Sequence, residues 1–247
     1  MNINEINKTI LIAHRGYRAK FPENTMASFK GALEIGAEMI ELDVALSKDR
    51  ALVILHDDTL ERTTNGKGNV SDYTLKELRN LDAGSWFDSR FTDEKIPTLE
   101  EVLDLVKNRS LLNIEIKECF YEDHNPADSI EKQVVELVRK KEMVDSVLIS
   151  SFEINYFERL CKMENIPATA FLSRKPADSD MVETCKSLNL YSWNPWHEIL
   201  SEEQVKMMHD AGLRVFSFTV NTKEVLKNLK SMGVDGVFTD DIPLISI

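Results

Sequence analysis

Apolar residues along this chain come in short runs, each followed by an amphipathic stretch at helical spacing. Ile10 to Ala13 is such a run, and Met26, Phe29 and Leu33 follow it on one helical face. The unit recurs with Leu111 to Ile116 before Ile130, Val134, Leu137 and Val138, and with Val147 to Ile149 before Ile154, Phe157 and Leu160. It recurs again with Ala168 to Leu172 before Met181, Val182 and Cys185, and Tyr191 to Trp193, Val215 to Val220 and Gly236 to Thr239 complete the series. Helix punctuation agrees: Thr98 with Glu101, Ser201 with Gln204, and Asn221 with Glu224 are spaced as capping boxes. Gly212 and Gly233 stand where a left-handed residue ends a helix. Alternation of this kind predicts a parallel sheet covered by helices, and eight units in 247 residues predict an α/β fold of the closed (β/α)8 TIM-barrel type. An open doubly wound sheet is the alternative, but it usually carries a Gly-rich turn after its first strand, and none is present.

Two stretches depart from the pattern. Ala51 to Leu55 is a further strand, separated from Met39 to Leu46 by Ser47 to Arg50 alone. A parallel crossover needs about a dozen residues, so these two are expected to form an antiparallel hairpin. With the turn centred on Lys48 and Asp49, Glu41 falls opposite His56, and Asp43 lies two residues along on the same face. From Asp57 to about Lys95 the alternation lapses into polar turns, a short helix near Thr74 to Asn80, and the aromatic cluster Trp86, Phe87 and Phe91. Residues 57–95 are expected to be a small cap over the barrel mouth, inserted in a single domain spanning 1–247.

The chemistry-bearing residues fall at strand ends, where barrel sites are built. The first strand runs into His14 and Arg15, the second carries Glu41 and Asp43, the hairpin ends in His56 and Asp57, and Glu115 and Lys117 close the strand after it. Glu41, Asp43 and Glu115 alternate with Ile40, Leu42, Val44, Ile114 and Ile116, which turns the carboxylates to the barrel interior. Buried together they repel, and a hard divalent cation with a preference for oxygen ligands, Mg2+ or Ca2+, is the natural neutraliser. His14 and His56 beside it suit acid–base work, and Arg15 and Lys117 suit the oxygens of a phosphoryl group. Together these point to metal-assisted phosphodiester cleavage.

Composition adds exclusions. A net charge of −12 disfavours nucleic acid and anionic membranes as partners, so a phosphate substrate needs local cations at the site. No apolar run is long enough for an integral membrane segment, and Met1 to Lys8 lacks the layout of a secretory signal. Cys119, Cys161 and Cys185 are too widely spaced for a disulfide framework or structural zinc, and predict reduced thiols in the cytoplasm.

The strings His14-Arg15-Gly16, Pro22-Glu23-Asn24-Thr25, Glu41-Leu42-Asp43, His56-Asp57 and Glu115-Ile116-Lys117 resemble, in order, the glycerophosphodiester phosphodiesterases. Thr219-Val220-Asn221 and Gly233 to Asp240 resemble the end of the same family. The resemblance implies divalent-metal-dependent hydrolysis of small glycerophosphodiesters to glycerol 3-phosphate and an alcohol. It makes His14 and His56 the acid–base pair, Glu41, Asp43 and Glu115 the metal ligands, and Arg15 and Lys117 the phosphate contacts. Where the family usually has Trp before the Thr-Val-Asn string, this chain has Phe218, which keeps an apolar substrate wall without an indole N–H. Trp193 and Trp196 are expected either to compensate or to pack in the core. Asn24 or Thr25 is expected to cap the following helix, and Asp57 to orient His56. Trp86, Phe87 and Phe91 are expected either to contact the alcohol half of the substrate or to form the cap's own core. His124, His197 and His209 carry no expected chemistry. The rival readings are a lysophospholipid-directed phosphodiesterase and a noncatalytic phosphate sensor on the same fold.

Overall fold

The computed structural model describes residues 1–245. Strands β1 (Ile10–Ala13), β2 (Met39–Leu46), β3 (Leu52–Ile54), β4 (Leu111–Ile116), β5 (Val147–Ser151), β6 (Ala168–Ser173), β7 (Ser192–Pro195), β8 (Arg214–Ser217) and β9 (Gly236–Thr239) belong to one sheet. All but β3 pair in parallel, and β1 pairs with both β9 and β2, so eight strands close into a barrel. Helices α1 (Met26–Glu34), α2 (Leu75–Leu78), α3 (Leu99–Val106), α4 (Ile130–Lys140), α5 (Asn155–Leu160), α6 (Ser179–Ser187), α7 (Glu202–Asp210), α8 (Lys223–Met232) and α9 (Ile242–Ile245) lie between or after the strands. The TIM-barrel expectation is met. No helix among the described residues is long and apolar enough to cross a membrane.

Strand parity separates two cores. Ile40, Leu42, Val44, Leu112, Ile114 and Ile116 pack outward with the helices in the main core. Ile12, Met39, Leu111, Leu148 and Phe216 fill the barrel interior in a second cluster. Along β2 and β4 the inward positions change character: Met39 pairs with Leu111, then Glu41 with Asn113, then Asp43 with Glu115. The interior is therefore apolar at its base and carboxylate-lined towards the C-terminal ends of the strands, the end where barrel sites lie. Truncating one of the fully buried aliphatics, such as Leu42, costs about 2–5 kcal/mol.

Capping motifs at Thr98 with Glu101 and at Ser201 with Gln204 are both formed, and Gly233 ends α8 at φ 89°. Asn221 is a correction. Thr222 caps α8 by accepting from the Val225 N–H, and Asn221 is freed for another use described below.

The β2–β3 hairpin is real but its register differs by one residue from the expectation. Val44 pairs with Ile54, Ala45 with Val53 and Leu46 with Leu52, which sets Leu42, not Glu41, in line with His56. The reason is the turn. Ser47 and Ala51 close a three-residue loop in which Arg50 takes φ 62°, the arrangement of a type I turn followed by a left-handed residue. The three-residue loop replaces the expected two-residue loop centred on Lys48 and Asp49; His56 lies beyond the end of β3 and reaches the cavity beside Glu41 all the same.

Between β3 and α3 the chain forms short 3-10 turns and α2, and packs Leu60, Val70, Leu78 and Ile96 against Ala45, Val53 and Leu55 of the hairpin. Trp86, Phe87 and Phe91 stand outside that aliphatic cluster. They stack edge-to-face on one another, and Phe91 stacks on Phe21 ahead of α1, with ring centroids 5.7 Å apart.

Candidate active site

The site occupies a gap in the hydrogen bonding of β2. On one edge, β2 pairs with β1 only as far as Ile40, and β3 takes over that edge only from Val44. Glu41 and Leu42 lie in the window between, together with the N–H of Asp43, whose carbonyl already accepts from the Leu55 N–H. The chain leaving β1 fills it: the Arg15 N–H donates to Glu41 Oε2 at 2.6 Å, with Arg15 held at φ 56°. Asn24 sits at φ 57° and acts as a surrogate strand. Its Nδ2 donates to Asp43 Oδ2 at 2.8 Å while its Oδ1 accepts from the Asp43 N–H. Thr25 is the cap of α1, through a reciprocal pair with Ser28, so the two neighbouring residues divide the roles between them.

Glu41, Asp43 and Glu115 each present a carboxylate oxygen within 4.8 Å of the others. Burial pushes the Glu41 carboxyl well above the usual range, reinforced by the charges of Asp43 and Glu115. Burial also raises Glu115, against the pull of Lys117. Burial would raise Asp43 too, but Arg15, Lys117 and His56 and the Asn24 bond outweigh it and hold that carboxyl low. Glu41 Oε1 is buried and has no hydrogen-bond partner among the described residues. An all-oxygen set with one orphaned oxygen suits a hard divalent cation, so the residues fit such an ion. Lys117 is already engaged there, with Nζ 2.8 Å from Glu115 Oε1 and 3.4 Å from Asp43 Oδ1.

Each histidine is pinned at Nδ1 by a carboxylate. His56 meets Asp57 at 2.5 Å, and His14 meets Asp240 at 2.7 Å. That leaves Nε2 of each ring as the nitrogen without an assigned partner. Burial lowers the His14 pKa, with the Asp240 bond opposing it, so the ring is neutral near pH 7. Asp240 is held in turn by Asn221, whose Nδ2 donates to Asp240 Oδ2 at 2.8 Å and whose Oδ1 accepts from the Asp240 N–H at 2.9 Å. Sequence reasoning overlooked Asp240. Its signal was present, since it directly follows the last barrel strand, as His14 directly follows the first.

Glu23 is the hub of a second network. Arg15, Arg18 and Arg62 all reach it, at 2.7, 3.2 and 2.8 Å. Burial alone would raise its pKa, but the Arg62 bond and the Arg15 and Arg18 charges hold it at about 2. Arg62 also grips Asp57, so this network steadies both Arg15 and the partner of His56.

A cavity of about 390 Å³ opens over these groups. His14, Arg15, Glu41, His56, Glu115 and Lys117 line one side, and Asp43 lies beneath, fully buried. The rest of the lining is Phe152, Leu172, Arg174, Trp196, Phe218, Thr219 and Phe238, carried by β5 to β9 and the segments that follow them. The two tryptophans part company here: Trp196 is on the wall, whereas Trp193 is entirely buried in the core. Trp86, Phe87 and Phe91 do not line the cavity. His197 and His209 lie away from it, His209 paired with Asp235.

By fold and by site this is a (β/α)8 barrel whose C-terminal mouth gathers three carboxylates, two histidines and two cations around one cavity. The family model of the glycerophosphoryl diester phosphodiesterase family matches residues 14–244. A glycerophosphodiester phosphodiesterase of Caldanaerobacter subterraneus subsp. tengcongensis is 39% identical over 240 residues, covering 95% of each chain. One from Bacillus altitudinis is 39% identical over 237 residues, covering 94% of each. The structure of a phosphodiesterase from Oleispira antarctica, in complex with the product sn-glycerol-3-phosphate, superposes with a TM-score of 0.88 at 32% identity, covering 96% of this chain and 95% of that one. The chain belongs to the glycerophosphoryl diester phosphodiesterase family.

Proposed function

We propose that the protein hydrolyses glycerophosphodiesters to glycerol 3-phosphate and an alcohol, with His14 and His56 as the acid–base pair. The observation that carries this reading is the convergence of two imidazoles, each pinned at Nδ1 by a carboxylate, on a cavity floored by three carboxylates. The product in the Oleispira structure supports the choice of substrate class. Glu41, Asp43 and Glu115 would hold one divalent cation, Mg2+ or Ca2+, which when bound supplies Lewis-acid stabilisation of phosphoryl charge. Arg15 and Lys117 contact the nonbridging oxygens and offset the charge that builds there. His14, neutral through burial, takes the proton of the attacking hydroxyl at Nε2 as the new P–O bond forms. His56 gives its proton to the oxygen of the departing alcohol as the old P–O bond breaks. Each transfer is worth about 10²–10⁴ in rate. Phe218 and its neighbours form an apolar wall for the carbon skeleton. Residues 57–95 are a small cap inserted in the single domain, contributing Arg62, which pairs with Glu23 and Asp57, rather than aromatic contacts to the substrate.

The test is turnover of glycerophosphocholine against a lysophospholipid, with and without Mg2+ or Ca2+. Metal-dependent release of glycerol 3-phosphate from the former is expected. Preference for the lysophospholipid would favour the rival substrate class, and no turnover of either would favour a sensor. Trapping of a cyclic phosphate in quenched reactions identifies a glycerol hydroxyl, rather than water, as the first nucleophile.

A further inference from the structure

We propose that Arg174 sets the charge preference of this site, favouring diesters whose arm on the aromatic side is neutral or anionic over those whose arm carries a cation; this rests on the phosphodiesterase reading above. Arg174 directly follows β6, at the mouth of the barrel. Its guanidinium carbon stands 4.3 Å from the centroid of the Phe152 ring. Phe152 in turn meets Phe218 edge-on at 5.8 Å, and both rings line the cavity with Trp196.

Three cationic side chains line this cavity, and their situations differ. Arg15 is bound to Glu23 and Asp43, and Lys117 to Glu115 and Asp43. Among the described residues Arg174 has no ion pair and no hydrogen bond; its contact is the Phe152 ring. Arg174 is exposed, so its charge stands uncompensated at the mouth of the cavity. The carboxylates that line the cavity, Glu41 and Glu115, come from β2 and β4, and neither pairs with Arg174.

An aromatic wall of this kind ordinarily suits a quaternary ammonium, which is attracted to ring faces. Here the face of Phe152 is already covered by a guanidinium. A choline or ethanolamine arm would meet a like charge and find no counter-ion. A second phosphate or a carboxylate would meet five N–H donors with nothing else to bond. The effect is that of one partly solvated charge contact, so it shifts selectivity by about tenfold and shrinks as salt rises.

The test uses the whole protein and compares kcat/KM for glycerophosphocholine, for glycerophosphoglycerol with its neutral arm, and for a glycerophosphoinositol bearing an additional phosphate. Wild type, Arg174→Gln and Arg174→Glu are measured at low and at high salt. The wild-type ratio of anionic to cationic substrate is expected to fall about tenfold in Arg174→Gln and to invert in Arg174→Glu, with the neutral substrate little changed. Direct binding titrations of the same diesters without added metal read the same preference independently of turnover. Equal losses on all three substrates, or a charge-blind titration, would overturn the proposal. Titrations that show the preference in the absence of any hydrolysis would instead count against the phosphodiesterase reading alone.

Discussion

His14 Nδ1 lies 2.7 Å from Asp240 Oδ1, across the seam where the first barrel strand meets the last. The contact that fixes the tautomer of a proposed proton acceptor thus spans the seam at which the barrel closes. Asn221 holds both the Asp240 carboxylate and its backbone N–H, so the arrangement has a support of its own.

Asp240→Asn is therefore expected to lower kcat by about 10²-fold while changing KM little, because the ring loses its orienting carboxylate but the cavity keeps its shape. Asn221→Ala should produce a smaller loss in the same direction. Steady-state kinetics together with an unchanged circular dichroism spectrum check this. A normal kcat in Asp240→Asn would show that His14 needs no carboxylate partner.

Glu23 offers a pH-dependent test of the arginine network. Its folded pKa of about 2 lies below the ordinary 4.5, so its contribution is complete above 4.5 and lost as pH falls towards 2. At about 1.4 kcal/mol for each pKa unit, the contribution is on the order of 3 kcal/mol near neutrality. Glu23→Gln should be less stable than wild type at pH 7 by roughly that amount, and the two should converge between about pH 5 and pH 2. Urea denaturation across that range measures the gap. A gap that stays constant with pH would mean that the ion pairs are not its source.

The barrel and the inward carboxylates were legible in the sequence because burying a charge inside a strand is too costly to be incidental. Alternation with Ile40, Leu42 and Val44 leaves one face for Glu41 and Asp43. What escaped was non-local or depended on a single dihedral. The hairpin register turned on Arg50 adopting φ 62°, which no glycine announced. The stacking of Phe91 on Phe21 joins segments far apart in sequence, and no periodicity reports such a pair. Asn221 met the spacing rule for a cap, yet its side chain found stronger use on Asp240, and the adjacent Thr222 took the cap. Trp193 and Trp196 both sit at one strand end, where composition alone does not say which faces inward.

The triad predicts a trade between stability and function. With no cation, Glu41 is buried beside two other carboxylates and has an unbonded oxygen. Its folded pKa is raised, so the penalty for ionising it grows as pH rises above the ordinary 4.5. Glu41→Gln removes that penalty, and without metal it should be at least as stable as wild type, increasingly so at higher pH. Adding Mg2+ or Ca2+ at about 100 times its dissociation constant should stabilise wild type by about 2.7 kcal/mol, and Glu41→Gln far less. Thermal melts with and without chelator make the comparison. An unresponsive wild type would sink the metal assignment irrespective of any activity assay.

The tryptophan pair separates packing from recognition within four residues. Trp193 is 0% exposed and packs in the main core, so Trp193→Ala should cost about 3–5 kcal/mol and lower Tm sharply. Trp196 is 36% exposed and lines the cavity, so Trp196→Ala should change stability by less than about 1 kcal/mol. Its effect should fall instead on KM, as a several-fold rise, because an apolar wall acts by holding the substrate rather than by moving protons. Melting curves and Michaelis–Menten parameters for the two variants together decide the matter. If Trp196→Ala lowered Tm as much as Trp193→Ala and left KM unchanged, the aromatic wall would be scaffolding, and the substrate would have to lie elsewhere in the cavity.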